Sequence, residues 1–223
     1  MVISDLGMIE FTKAYALQER LSAEVAAGAA DETLLLLEHP PVYTTGSGGR
    51  TENILDPDIR VIRTNRGGDV TWHGPGQLVG YPVIDLARRG RDLHRYLRFL
   101  EELLIALAVG FGVSASRVAG LTGVWTEQGK LASIGVGVRR WVTMHGFSFN
   151  VMPDLSPFNS INPCGIRACS VASLAGICGA PPSIAEVKER LAERFEPLLA
   201  DRLPVVEKRT LKMNISGCNR MQY

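Results

Sequence analysis

The side chains that could make or break covalent bonds in this chain are a few cysteines, lysines and histidines, and their neighbours narrow the options. In Phe158-Asn-Ser-Ile-Asn-Pro-Cys164-Gly-Ile166, a proline and a glycine bracket Cys164. Those two residues predict a turn that presents the thiol. An unassisted thiol is only a few per cent thiolate at neutral pH, so a nucleophilic cysteine needs a base or cation beside it. Two readings stand for Cys164: a presented nucleophile, or a small hydrophobe filling a gap. Cys169 and Cys178 lie among Ala, Val, Leu and Ile and fit the second. Cys218, in a polar stretch, is read as incidental.

Lys130 opens the alternating segment Lys130-Leu-Ala-Ser-Ile-Gly-Val-Gly-Val138. If this is a regular strand, Lys130 shares a face with Ala132, Ile134, Val136 and Val138, and Ser133, Gly135 and Gly137 line the other. Lysines are rarely buried without a partner, and a thiolate would be one. The alternative places Lys130 at the exposed start of the strand, in the turn after Gly129. Strand alternation also puts His145, Phe147 and Phe149 on one face. His145 and His73 have no spacing that asks for a metal, and no cysteine pair has zinc-ligand spacing.

The run RGGDVTWHGPGQLVGYP at 66–82 holds five glycines and two prolines in seventeen residues. No ordinary helix or long strand tolerates that content. Arg66, Asp69, Thr71, Trp72, His73, Gln77 and Tyr81 stand between the glycines, and the combination predicts the wall of a ligand pocket. The Gly46-Ser47-Gly48-Gly49 loop lacks the Gly-Lys-Ser/Thr ending of a phosphate-binding loop, so it reads as a flexible turn or a pocket rim.

The elements that must position these groups follow from periodicity and punctuation. Helices are predicted over Phe11 to about Ala27, from an Asp92 cap to about Val109, and from a Ser183 cap to about Leu199. The second should bury Leu93, Leu97, Leu100, Leu104 and Leu107. Strands are expected at Thr33–Leu37, Val42–Thr45, Val61–Thr64, Leu78–Leu86, Val124–Glu127, Lys130–Val138 and Val142–Val151. Strands and helices without a steady β-α-β rhythm predict an α+β fold, with a mixed sheet and flanking helices. No stretch resembles a linker, so a single domain over residues 1–223 is preferred.

Lys+Arg is 24 against Asp+Glu 23, which argues against bulk binding to nucleic acid or an anionic membrane. Arg88, Arg89, Arg91, Arg95 and Arg98 are clustered, either as a solvated helix face or as a patch for an acidic partner. The N-terminus has no signal-peptide pattern and no stretch suggests a membrane span, so a soluble cytoplasmic protein with reduced thiols is expected.

Four segments, RGGDVTWHGPGQLVGYP at 66–82, GKLASIGV at 129–136, TMHGFSFNV at 143–151 and INPCG at 161–165, together resemble the lipoyl(octanoyl) transferase family in order and spacing. The resemblance covers nearly the whole chain to about Leu199, while the tail from about Arg209 matches nothing. It implies the catalytic-domain fold of the biotin and lipoate protein ligases. It implies that Cys164 is the nucleophile and that Lys130 promotes its ionisation. By the same match Arg66, Gly67, Gly68, Asp69, Val70, Thr71, Trp72 and His73, with Ser133, Ile134 and Gly135 and with Gly146, Phe147 and Ser148, form the substrate pocket. It implies octanoyl-acyl carrier protein as donor. The implied acceptors are lipoyl domains of 2-oxoacid dehydrogenases and the glycine cleavage H protein. Thioester exchange followed by amide formation needs no ATP and no cofactor. The rival enzyme on that fold is an ATP-dependent ligase, which would not need Cys164. The rival of another class is a module that binds acyl groups or lipoyl domains without turnover.

Overall fold

The computed structural model describes residues 1–206; the tail from Arg209, with Cys218, lies outside them. In chain order the elements are β1 (Val2–Met8), α1 (Phe11–Ala26), β2 (Thr33–Glu38), β3 (Val42–Thr45), β4 (Val61–Arg63), β5 (Thr71–His73), β6 (Gln77–Val83) and α2 (Leu93–Val109). They continue with β7 (Ser116–Val118), β8 (Leu121–Thr126), β9 (Gly129–Arg139), β10 (Val142–Asn150), α3 (Leu174–Ile177) and α4 (Ile184–Arg202).

Seven strands form one sheet in the order β1-β2-β6-β10-β9-β8-β7. β1 runs parallel to β2 and the remaining neighbours are antiparallel, so the sheet is mixed, as expected. The run Leu34–Leu37 of β2, next to the edge strand β1, is apolar without a break because both faces of the sheet are covered there. Leu34 and Leu36 join the main core with α2 and α4, and Leu35 and Leu37 pack with Ala14 of α1. The Asp92 and Ser183 side chains cap α2 and α4 by accepting from the Arg95 and Glu186 N–H groups.

Several expectations are corrected. β6 stops at Val83, because Asp85 accepts from the Ala87 N–H and turns Leu86–Arg89 into a 3-10 segment. The buried stripe of α2 is Tyr96, Phe99, Leu100, Leu103, Leu104 and Leu107, while Leu93 is 37 % exposed, because the first turn of α2 extends past the core. The arginine cluster is not one face. Arg89 is buried in an ion pair with Glu32, while Arg88, Arg91 and Arg95 project outward and Arg98, though exposed, is tied to Glu101. β1, β5 and β7 have no counterpart in the sequence reading, and β3 joins β4 and β5 in a second, three-stranded sheet. That small sheet carries the start of the glycine-rich run. Among the described residues no helix is long and apolar enough to cross a membrane.

Candidate active site

Cys164 lies in a tight turn, Pro163–Gly165, with φ of 57°. The turn is fixed by main-chain bonds: the Cys164 N–H donates to the Val70 carbonyl at 2.9 Å and the Gly165 N–H to that of Asn162 at 3.0 Å. The Cys164 turn and the glycine-rich run are thus joined backbone to backbone. Cys164 itself is half-buried, presented rather than packed away.

Lys130 reaches the same point from the sheet. Its side chain is 3 % exposed, and Nζ donates to Cys164 Sγ at 2.9 Å. Nζ also lies 5.3 Å from the centre of the Trp125 ring. Residue 123 must be glycine here. Its φ is +129°, and a Cβ there would sit 2.8 Å from Lys130 Cε and 2.6 Å from the Ala132 carbonyl oxygen. The Gly123 N–H donates to the buried Glu101 carboxylate at 3.3 Å, and Arg98 and Arg117 hold that carboxylate at 2.6 and 2.8 Å.

Ser133 Oγ lies 3.9 Å from Cys164 Sγ. Regular alternation would send Lys130 and Ser133, three residues apart, to opposite faces. The β8–β9 register explains why both turn toward the sulfur. Trp125 pairs with Lys130 but Val124 with Ala132, so Leu131 is an extra residue in β9. This β-bulge resets the parity of the strand and aims Lys130 at the cysteine. His145 breaks parity too. Its φ is +56°, its N–H donates to Gln18 Oε1 of α1, and its ring packs against Tyr15 and Tyr81. Phe147 and Phe149 instead join the main core on the other side, so the shared face expected for all three is not formed.

Cys164 and Lys130 stand at a cavity of about 360 Å³, within the size range of small-molecule sites. Leu93, Leu97, Leu121, Ile134 and Phe147 make its apolar wall. Arg66, Gly67, Gly68, Asp69, Thr71, His73, Ser133, Gly135, Gly146 and Ser148 line it as the sequence suggested. Val70 and Trp72 do not. Trp72, between Thr71 and His73 on β5, and Val70 just before the strand pack instead into a cluster with Phe158 and Ile161. Val70 contributes its carbonyl instead. The sequence reading missed Phe11, Leu93, Leu97, Leu121, Thr122 and Ile166 as lining residues. No local signal marks Leu121 or Ile166, whereas the exposure of Leu93 and Leu97 follows from the rotation of α2.

The Gly46–Gly49 loop is not a flexible turn but a rim packed on the run. A Cβ at Gly46 would lie within 2.8 Å of the Arg66 and Gly67 carbonyl oxygens, and the Ser47 and Gly48 N–H groups donate to the carbonyls of Arg66 and Gly68.

The electrostatics are set by burial. Arg66 donates to the Thr44 carbonyl and hydroxyl at 3.0 and 3.1 Å. Burial pulls its guanidinium below the usual value, and Cys164, Tyr81 and Asp69 oppose that. An arginine so placed keeps its charge. Burial, aided by His39, lowers His73 to about 3, and burial with Arg66 lowers His145 to about 4. Both imidazoles are therefore neutral at neutral pH. The tautomer of His73 follows from a chain with a fixed end. The Ala172 carbonyl can only accept, so Asn150 Nδ2 donates to it, Gln77 Nε2 donates to Asn150 Oδ1, and His73 Nδ1–H donates to Gln77 Oε1. His73 Nε2 is left as an acceptor. Asp69 accepts from Asn53 Nδ2 at 2.6 Å and from the Val70 N–H at 2.6 Å, so it is a brace and not an open base.

Sequence relatives and solved structures identify the family and the fold. Residues 10–196 match the family described as the lipoyl protein ligase A/B catalytic domain. An octanoyltransferase of Geobacter metallireducens is 67% identical over 207 residues, covering 93% of this chain and 97% of the relative. One from Chloroflexus aurantiacus is 44% identical over 210 residues, covering 90% and 94%. The bipartite lipoate protein ligase of Thermoplasma acidophilum, studied with its E2 lipoyl domain, superposes with a TM-score of 0.62 at 17% identity, covering 91% of this chain and 84% of that one. At that identity the superposition speaks for the fold alone. With the family matched over most of its length, and two curated relatives named octanoyltransferase covered almost end to end, the chain belongs to the lipoyl protein ligase A/B catalytic-domain family.

Proposed function

We propose that this chain is an octanoyltransferase. It moves an octanoyl group from octanoyl-acyl carrier protein to a lysine of a lipoyl domain, through an acyl thioester on Cys164. Lipoyl domains of 2-oxoacid dehydrogenases and the glycine cleavage H protein are the acceptors. A free thiol nucleophile is compatible with a reducing compartment, and the cytoplasm is the location proposed for the reaction. The observation that carries the reading is the 2.9 Å contact of Lys130 Nζ with Cys164 Sγ at the edge of an apolar-walled cavity.

The ammonium of Lys130 favours the thiolate of Cys164, which attacks the donor's carbonyl carbon. A new C–S bond forms, the donor C–S bond breaks, and the leaving thiolate takes a proton from Lys130. Lys130 is then neutral and faces an uncharged thioester. The incoming lysine amine attacks that carbonyl, an N–C bond forms, and Lys130 accepts the proton the amine loses. Departure of Cys164 as thiolate restores the starting pair. Each step is covalent catalysis with one residue serving as acid and then as base.

The oxyanion of each step needs donors. The Cys164 N–H is engaged by the Val70 carbonyl and cannot serve. The Gly68 and Asp69 N–H groups donate no hydrogen bond within the described residues, and both residues border Cys164, so they are assigned this role. The neutral His73 and the charged Arg66 line the same space as polar positioning groups.

The test is incubation with octanoyl-acyl carrier protein without ATP, read by intact-protein mass spectrometry. An octanoyl adduct on Cys164, lost in Cys164→Ala, is expected. An adduct that persists in Cys164→Ala would sink the assignment. Product formed only from free octanoate and ATP would make the chain a ligase.

A further inference from the structure

Cys164 borders two spaces, not one. Besides the cavity, a groove of about 390 Å³ opens on the other side of the same turn, and Gly68, Asp69 and Cys164 are common to both. A thioester has two limbs that diverge from its carbonyl carbon and sulfur. If the acyl limb fills the apolar-walled cavity, the thiol limb must leave by another route, and the groove is a second space that Cys164 borders.

The groove differs in chemistry from the cavity. Its base is polar: the Asn53 amide, the Asp69 carboxylate and the backbone of Gly68 and Gly165. The Gly48 N–H to Gly68 carbonyl bond holds its wall in place. Two exposed arginines, Arg50 and Arg167, stand at its edge. Glu52 lines the groove as well, but it meets Arg50 only at 3.9 Å with both side chains mostly in solvent, and Arg167 makes no ion pair among the described residues. Polar amide partners close to the sulfur and arginines further out match a ligand that is amide-bearing near its thioester and anionic at its far end.

We propose that this groove binds the phosphopantetheine arm of the donor, with its amides along the base and its phosphodiester at Arg50 and Arg167. The proposal rests on the octanoyltransferase reading and assigns the carrier limb of that reaction a place. It also separates the two substrates. The phosphodiester is anionic and suits two guanidinium groups. An acceptor lysine carries no anion and gains nothing from them.

The experiment compares two octanoyl donors on the Arg50→Glu, Arg167→Glu double variant. One is octanoyl-acyl carrier protein. The other is S-octanoyl-N-acetylcysteamine, which keeps the thioester end of the arm and lacks the phosphate. Both replaced side chains are exposed, so the fold is retained, and a thermal unfolding curve checks it. A hydrogen bond to a charged group sets the expected scale, a loss of about tenfold or more in the rate of Cys164 octanoylation from the carrier protein. The rate from the short donor should stay within about twofold of wild type. An unchanged carrier rate, or an equal fall with both donors, overturns the proposal. So does a fall confined to the second half-reaction, which would give the groove to the lipoyl domain. Wild-type protein that takes octanoyl from neither donor would instead remove the octanoyltransferase reading itself.

Discussion

Replacing Lys130 with methionine removes the ammonium and keeps most of the volume. The charge sits 2.9 Å from Cys164 Sγ. At that distance a unit charge pair is worth about 1.4 kcal/mol in a water-like medium and about 6 kcal/mol at an effective dielectric constant near 20. Cys164 is half-buried, so its case lies between those limits. Even the lower figure corresponds to about tenfold, which sets the scale of the expected loss in iodoacetamide alkylation of Cys164. Turnover should fall further, because methionine cannot take the acceptor's proton, and loss of a general base removes about 10²–10⁴. Stability should fall much less, because removing one partner of a buried pair is costly only when the other stays charged, and a thiol left without its ammonium can hold its proton. Thermal unfolding, alkylation and octanoyl transfer are therefore measured on the same Lys130→Met protein. Raising the pH should restore alkylation and leave transfer slow. Wild-type alkylation in the variant refutes the electrostatic role. A fall in alkylation that only tracks a fall in unfolding temperature refutes it as well, since it would make Lys130 a packing residue.

Gly123→Ala places a Cβ 2.8 Å from Lys130 Cε on a backbone of φ +129°, so it should cost about 2 kcal/mol of stability and slow Cys164 alkylation; alkylation at the wild-type rate would show that Lys130 does not depend on this contact. His73 and His145 are held near 3 and 4, below the unfolded value of about 6.5. The unfolded chain binds more protons across that window, so each histidine should remove up to about 1.4 kcal/mol of stability per pH unit as the pH falls from about 6.5 toward those values. Denaturant unfolding at pH 7, 6 and 5 measures this, and equal stabilities at all three would contradict burial of neutral rings. Thr71 Oγ1 is buried with no hydrogen-bond partner within the described residues. Thr71→Val should stabilise by about 1 kcal/mol or more, raising the unfolding temperature by about 2–4 °C, whereas a lowered temperature would reveal a partner for the hydroxyl.

Much of this site is legible in the chain because its signals are local. Pro163 and Gly165 announce the turn that presents Cys164, Asp92 and Ser183 announce their helices, and the Leu34–Leu37 run announces a strand buried on both faces. What stays hidden depends on partners distant in sequence. The bulge at Leu131 exists only in the pairing of β9 with β8, yet it decides that Lys130 and Ser133 turn to one sulfur. The left-handed backbone of His145 is held by Gln18, 127 residues away in sequence. Val70 and Trp72 sit inside the most informative motif and still join a separate apolar cluster, Trp72 because the three-residue strand that holds it alternates even among glycines. Motif membership located the wall of the cavity, and only the register told which side chains face it.

The fold by itself does not decide between ligase and transferase, since the superposition on the Thermoplasma acidophilum ligase holds at only 17% identity. The difference must lie in a few atoms. An acid substrate has to be activated before an amine can attack it, whereas a thioester arrives activated and needs only a nucleophile that can accept and release the acyl group. In the proposed reaction Cys164 would supply the nucleophile from a turn, and Lys130 the proton traffic from a bulged strand. Neither placement is demanded by the sheet that carries it. The sheet positions the apolar wall, and two local departures from regular structure, φ of 57° at Cys164 and an extra residue at Leu131, bring sulfur and nitrogen to 2.9 Å. A variant that restored regular register by deleting Leu131 should keep the cavity and lose the contact, and a retained alkylation rate in it would show that Lys130 needs no bulge to reach Cys164.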